Sequence, residues 1–224
     1  MLNAAGSDTR EASVALSELC QAYWPPLYAY VRRTGYNKED AQDLTQEFFA
    51  RLLEKQWLNQ ADRQRGKFRS FLLSSMNHFL ANEWRRSQTA KRGGGKAIVS
   101  LDDTAEALCE SEWASCLTPE KLYERSWAMA LFERAIADLQ AIYTADGKSK
   151  LYNALKDFLS SEAGDGDYAR IGKELEMSNG AVAAAVHRMR QRYREVVRAQ
   201  VARTVANDGE VEEEMRSLLA ALQL

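Results

Sequence analysis

The chain is poor in the residues that catalysis, metal binding and membrane insertion require. Its 224 residues hold two histidines and three cysteines. Cys20, Cys109 and Cys116 are too few and too scattered for a disulfide framework, and no paired-cysteine spacing of a zinc site occurs. Reduced thiols and a cytoplasmic location are therefore expected. His78 and His187 lie far apart, and neither neighbours a serine or cysteine in a nucleophile motif. Gly93, Gly94 and Gly95 are followed by no phosphate-binding loop pattern. No apolar run approaches the roughly 20 residues that span a bilayer, and residues 1–10 are polar, without the apolar centre of a signal peptide. The expectation is a protein that is not an enzyme, needs no cofactor or metal and does not enter a membrane.

Excess charge of one sign is also lacking. The net charge is −2, so any affinity for nucleic acid must come from charges segregated along the chain. They are segregated: arginine and lysine crowd residues 63–92 and 188–203, while residues 210–214 are acidic.

Helical periodicity dominates, with no convincing strand. Val14, Leu16, Leu19, Tyr23, Leu27, Tyr28 and Val31 outline an amphipathic helix that the sequence predicts to kink or restart at Pro25-Pro26 and to stop at Gly35. Asn37 is a cap for a second helix, running to about Lys55, with Glu39 and Asp40 in its first turn. Its apolar face is Ala41, Leu44, Phe48 and Leu52. Asp40, Asp43 and Glu47, spaced three then four, share another face. Residues 56–66 read as a polar loop. Residues 67–86 return to helix, with Phe68, Leu72, Met76, Phe79 and Leu80 as the buried stripe and Arg69, Asn77, Arg85 and Arg86 among the exposed positions. The three glycines that follow break the pattern; a short helix is placed around residues 104–115.

Thr118-Pro119-Glu120 is a helix start: cap, proline, then acid. Helices are expected over residues 119–144 and 148–160. Asp167 is expected to cap a helix over residues 168–176, and Ser178 a longer one reaching about Val205. Ile171, Leu175, Val182 and Val186 would form the small shared core of this pair, which fits either a helix-turn-helix or a plain helical hairpin. Val211, Met215, Leu218, Leu219 and Leu222 mark a last amphipathic helix, whose apolar stripe must pack somewhere. The expected fold is all-α, with two helical domains, residues 11–92 and 118–206, joined by a linker over 93–117 and followed by the extra helix of 207–224.

Two ordered blocks carry a resemblance. Tyr23-Trp-Pro-Pro-Leu-Tyr-Ala-Tyr-Val-Arg-Arg33, Glu39-Asp-Ala-Gln-Asp-Leu-Thr-Gln-Glu-Phe-Phe49, Arg65-Gly-Lys-Phe-Arg-Ser-Phe-Leu-Leu73 and Asn82-Glu-Trp-Arg-Arg86 follow one another as the first. Tyr168-Ala-Arg-Ile-Gly-Lys-Glu-Leu175, Gly180-Ala-Val182 and His187-Arg-Met-Arg190 form the second. Together they resemble bacterial RNA polymerase sigma factors of the sigma-70 family, in its extracytoplasmic-function (ECF) class. The resemblance implies that the first domain binds core RNA polymerase and the minus-ten promoter strand. It implies that the second binds minus-thirty-five DNA through a helix-turn-helix. Residues 139–160 are less typical of the family, and the helix over 211–224 is an addition to it.

On that resemblance Asp40, Asp43, Gln46 and Glu47 dock on the polymerase; the plainer reading is a solvated helix face. Arg63, Gln64, Arg65, Lys67, Arg69, Asn77, Asn82, Trp84, Arg85 and Arg86 are assigned to the minus-ten strand. The basic residues would neutralise phosphates, and Gln64, Asn77 and Asn82 would read base edges. Trp84 is either a stacking surface or core. Arg85, Arg86, Lys91 and Arg92 either follow upstream duplex backbone or form a solvated basic linker.

Ser178, Asn179, Gly180, Ala183, Ala184, His187, Arg188 and Gln191 are assigned to duplex DNA. Ala183, Ala184 and Ala185 leave that helix with a bare front, so contact through backbone and shape is expected, with His187, Arg188 and Gln191 as base readers. Thr45 lies on the polymerase-facing helix. Phosphorylation would add charge of about −1.5 to −2 there, which brings a protein kinase into view as a partner beside an anti-sigma factor; the plainer reading is an ordinary helical threonine. The competing functions are a helix-turn-helix transcriptional regulator that acts without binding polymerase and a structural adaptor with no DNA role.

Overall fold

The computed structural model describes residues 10–54, 67–89, 117–162, 164, 166–205 and 207–223, with side chains from Cys20 onward. All regular structure among them is helical, in keeping with the all-α expectation. The chain divides into two compact units, residues 1–130 with 201–224, and residues 131–200.

The first unit contains α1 (Arg10–Arg33), α2 (Lys38–Glu54), α3 (Phe68–Thr89), the start of α4 (Pro119–Ala145) and, from the C-terminal end, α8 (Val211–Leu222). Its core joins Tyr23, Leu27 and Val31 of α1 to Phe48 and Leu52 of α2, Leu72, Met76 and Phe79 of α3, and Tyr123 and Trp127 of α4, all buried. Helix α1 runs through Pro25 and Pro26 without interruption, so it does not restart there. An interior proline costs about 3 kcal/mol. Leu27, Tyr28 and Val31, which follow immediately, are buried, and each such side chain returns roughly 1.5–3 kcal/mol. Tertiary burial therefore outweighs the missing donors. Gly35, at φ 106°, ends the helix in a conformation that side chains with a Cβ avoid.

Asn37 caps α2 as expected: its Oδ1 accepts from the Asp40 amide at 2.8 Å, and its Nδ2 donates to Asp40 Oδ2 at 2.9 Å. Ala41, Phe48 and Leu52 are buried and Leu44 half-buried. Thr45 is fully buried, its hydroxyl donating to the Ala41 carbonyl at 2.7 Å. The plainer reading of Thr45 is the one this geometry fits, because a kinase would have to open α2 to reach it.

Two expectations are corrected in this unit. Arg69 is not exposed on α3 but buried, with a relative exposure of 8%. In α8 the inward face is Val211, Glu214, Leu218 and Ala221, while Leu219 is 51% exposed. Val211 and Leu218 of the expected stripe are buried and Met215 and Leu222 half-buried, but Glu214 joins the inward face while Leu219 turns out. The two corrections have one cause: Arg69 and Glu214 pair with each other (below).

The second unit contains the end of α4, α5 (Ser149–Leu155), a 3₁₀ turn (Lys156–Leu159), α6 (Asp167–Glu174) and most of α7 (Asn179–Ala202). Leu139, Tyr152, Leu155, Phe158, Ile171, Val182, Val186 and Met189 form its core. Arg190 donates to the Phe158 and Ser161 carbonyls, both at 2.8 Å, tying α7 to the chain end of the 3₁₀ turn. Asp167 is the first residue of α6 rather than its cap. The cap position is Gly166, at φ 86°, with no side-chain bond. Asp167 instead accepts from the Gly164 amide at 2.9 Å, so its carboxylate closes the preceding turn.

Four residues, 175–178, separate α6 from α7. The Met177 amide donates to the Gly172 carbonyl at 2.8 Å, and Glu176 adopts φ 55°. A Cβ on Gly172 would lie 2.6 Å from the Met177 carbonyl oxygen, so only glycine admits this close turn. Ser178 Oγ then accepts from the Ala181 amide at 3.2 Å, the expected cap.

Candidate nucleic-acid interface

Helix α2 presents one face of polar side chains. Burial of Ala41, Phe48 and Leu52 on one side leaves Asp40, Asp43, Gln46 and Glu47 exposed on the other. Asp40 is held by Asn37. Glu47 is held by Arg51, which also bonds Glu83 of α3 at 2.7 Å and lies 5.1 Å from the Phe79 ring centre. The α2 face is thus fixed to α3 by an arginine that bridges both helices. Exposed ion pairs contribute little to stability, about 0–1 kcal/mol, so this arrangement orients the carboxylates more than it stabilises the fold.

The outer surface of α3 carries Asn77, Asn82, Trp84, Arg85 and Arg86, all exposed. Trp84 is 59% exposed, which separates it from Phe68 and Phe79 in the core. Asn77 is oriented by the Tyr30 hydroxyl, which donates to its Oδ1 at 2.5 Å. Arg86 pairs with Glu83 at 2.9 Å and Arg85 donates to Asn82 at 3.3 Å. Arg63, Gln64, Arg65, Lys91 and Arg92 lie outside the described residues.

Lys67 and Arg69, at the start of α3, have a different setting. Arg69 Nε donates to Glu214 Oε1 at 2.6 Å, and its Nη1 to Glu124 Oε1 at 2.9 Å. Its guanidinium carbon lies 4.8 Å from the Trp127 ring centre, and the Tyr123 hydroxyl donates to its carbonyl at 2.9 Å. Burial works against the charged guanidinium, but the bond and charge of Glu214 outweigh it and the net shift of the Arg69 pKa is upward. Lys67 Nζ lies 2.8 Å from Glu214 and 3.2 Å from Glu213, and its pKa shows the same upward balance of burial against Glu214. Burial pushes the Tyr123 phenol well above its ordinary value, so it stays a neutral donor. Glu124, Trp127, Glu213 and Glu214 were not among the residues the sequence singled out for a site. Only the opposite charge of residues 210–214 hints at the pairing.

In the second unit, Ser178, Asn179, Gly180, Ala184, His187, Arg188 and Gln191 are exposed along α7, and Ala183 is half-buried. Ala185 is buried at 3%, so it faces the core and the bare front is narrower than the sequence suggested. Arg188 and Gln191 also line an open groove with Tyr143, Lys148, Leu151 and Arg192. Burial raises the Tyr143 pKa, and the charges of Lys148, Arg188 and Arg192 oppose the rise. Asp146 and Glu195 line the same groove and pair with Lys148 at 3.1 Å and Arg192 at 3.0 Å, so its charge is mixed.

No group of histidine, cysteine and acidic residues among the described residues is arranged to hold a metal ion. No helix among them is long and apolar enough to cross a membrane.

Residues 19–90 match the family model for Sigma-70 region 2. This stretch contains α2, α3 and all of α1 from Leu19 onward. No curated protein and no solved structure matches the chain.

Proposed function

We propose that the protein is a sigma factor of the extracytoplasmic-function class, which binds core RNA polymerase and directs promoter recognition and transcription initiation. The observation that carries this reading is the coincidence of two independent features. The stretch that matches Sigma-70 region 2 contains an α2 whose Asp40, Asp43, Gln46 and Glu47 stand exposed opposite a buried face of Ala41, Thr45, Phe48 and Leu52. A solvated helix face would be ordinary alone; in this family it is the side that meets the polymerase.

In the same reading the outer surface of α3 takes the minus-ten strand. Asn77 and Asn82 present amides to base edges, Trp84 offers a stacking surface, and Arg85 and Arg86 follow phosphates. Arg63, Gln64 and Arg65 belong to this set by sequence position. Helices α6 and α7 act as a helix-turn-helix in the minus-thirty-five major groove. Ser178 and Asn179 offer helix N-terminal amides to phosphate, Gly180, Ala183 and Ala184 allow close approach, and His187, Arg188 and Gln191 read bases. The polymerase supplies the chemistry, so the factor acts without a catalytic site, cofactor or metal. It works in the cytoplasm, where an anti-sigma factor is a further class of partner.

Co-purification tests the reading. Tagged full-length protein is expected to retain core polymerase in near-equal amount, and Asp43→Lys to lose it while keeping its helical circular dichroism. A wild-type protein that is folded and retains no core polymerase refutes the proposal and favours a regulator that binds duplex DNA alone.

A further inference from the structure

Helix α8 presents its buried carboxylate to two cations of α3. Glu214 is 1% exposed and sits 2.6 Å from Arg69 and 2.8 Å from Lys67. Glu213 adds a second carboxylate 3.2 Å from Lys67, and Ser217 Oγ lies 3.4 Å from the same amine. An anion with oxygens shared between an arginine fork and a lysine is what these two side chains would otherwise make with a phosphodiester.

The choice of Glu214 is informative because α8 has an apolar alternative. Leu219 is 51% exposed and Met215 half-buried, so the helix docks with its carboxylate inward and leaves apolar surface in water. Burying a carboxylate costs several kilocalories, and a hydrophobic replacement of a buried pair is often as stable or more so. Leu218 is fully buried on the same face as Glu214, so the helix does cover the core; a helix selected only for that would not bury a carboxylate beside its apolar residues. An ion pair has a property that apolar packing lacks: one anion exchanges for another with the cations still satisfied.

We propose that α8 is a built-in inhibitor that occupies the phosphate-binding cations of α3, and that single-stranded DNA displaces it. Glu213 and Glu214 stand in for strand phosphates at Lys67 and Arg69. When the strand arrives, its backbone takes these two cations and α8 leaves. This rests on the reading of α3 as the strand-binding helix given above. It adds that this helix is incompletely available until α8 is removed.

The test uses the full chain and a fluorescein-labelled oligo-dT 20-mer, read by fluorescence anisotropy. Glu213→Gln with Glu214→Gln is expected to bind at least about 5-fold more tightly than wild type. Its plot of log affinity against log salt should keep about the wild-type slope, since the same phosphates are neutralised in both complexes. Asp157→Asn with Glu162→Gln, at two exposed positions, makes the same change of net charge and is expected to gain little. A folded E213Q/E214Q protein that binds no better than this control overturns the proposal. If that variant does not fold, hydrogen exchange on wild type decides instead. Loss of protection at residues 211–222 on adding the oligonucleotide supports displacement, and unchanged protection up to the highest oligonucleotide concentration overturns it. Core polymerase retention, measured in parallel on wild type, separates the two claims. Retention without any gain in E213Q/E214Q removes the inhibitor and leaves the sigma-factor reading intact.

Discussion

Arg69 and Glu214 stand 145 residues apart in the chain and meet in a buried ion pair at 2.6 Å. Glu124 and the Trp127 ring complete the surroundings of the guanidinium. Removing one partner of a buried pair strands the other, at about 3–5 kcal/mol. Glu214→Ala is expected at the low end, about 3 kcal/mol, because Glu124 remains. Arg69→Met combined with Glu214→Leu should be about as stable as wild type, since both charges leave together. Urea denaturation of the two variants checks both values. A single variant no less stable than the double would show that the pair is solvated.

The turn between α6 and α7 depends on Gly172. Its Cβ would meet the Met177 carbonyl oxygen at 2.6 Å, and that oxygen belongs to backbone that cannot rotate away. Gly172→Ala is expected to destabilise by about 1–3 kcal/mol, the usual cost of overpacking. Glu176 sits at φ 55°, where a side chain costs about 1–2 kcal/mol. Glu176→Gly is expected to recover about 0.5–1 kcal/mol, because glycine loses more entropy on folding. Thermal melts of the two variants should shift in opposite directions.

Thr45 offers a sharper contrast. It is fully buried and its hydroxyl is already donated to Ala41. Thr45→Glu places an unpaired carboxylate in the core and should cost on the order of 3–5 kcal/mol. Thr45→Val keeps the shape and loses one modest hydrogen bond, about 1 kcal/mol. If Thr45→Glu melts at the wild-type temperature, the residue is accessible after all.

On α7, Arg188 is exposed and lines the open groove, while Ala184 is an exposed methyl. Arg188→Ala is expected to weaken binding to a promoter duplex by about 1–3 kcal/mol, the worth of one good base contact. Ala184→Ser should change it little. A gel-shift titration reading the reverse order would refute the assignment of bases to Arg188.

What could be read in the sequence was local. Asn37, Thr118 and Ser178 cap their helices as expected, with amide bonds at 2.8, 3.3 and 3.2 Å, because a cap needs only residues within one turn. The apolar stripe of α3 was legible for the same reason. Arg69 was not: periodicity places an arginine in water, and its partner lies on a helix 145 residues away. In α8, Val211 and Leu218 lie inside as their spacing implied, but the inward place of Glu214 was hidden by the same pair, since periodicity places a glutamate in water. Ala185 was misplaced because alanine is equally at home on either face of a helix. In α1 the prolines dominate any local reading, while the burial that carries the helix through them is tertiary. The candidate polymerase face was legible as a spacing of carboxylates; its setting, fixed to α3 through Arg51 and Glu83, was not.

The most direct measurement is transcription in vitro. Core RNA polymerase is combined with the purified full-length protein on a supercoiled genomic library, and the 5′ ends of the transcripts are mapped. A sigma factor yields discrete start sites that are absent with core polymerase alone and are lost with Asp43→Lys. Transcripts whose start sites are the same with and without the protein, despite its proper folding, would contradict the account.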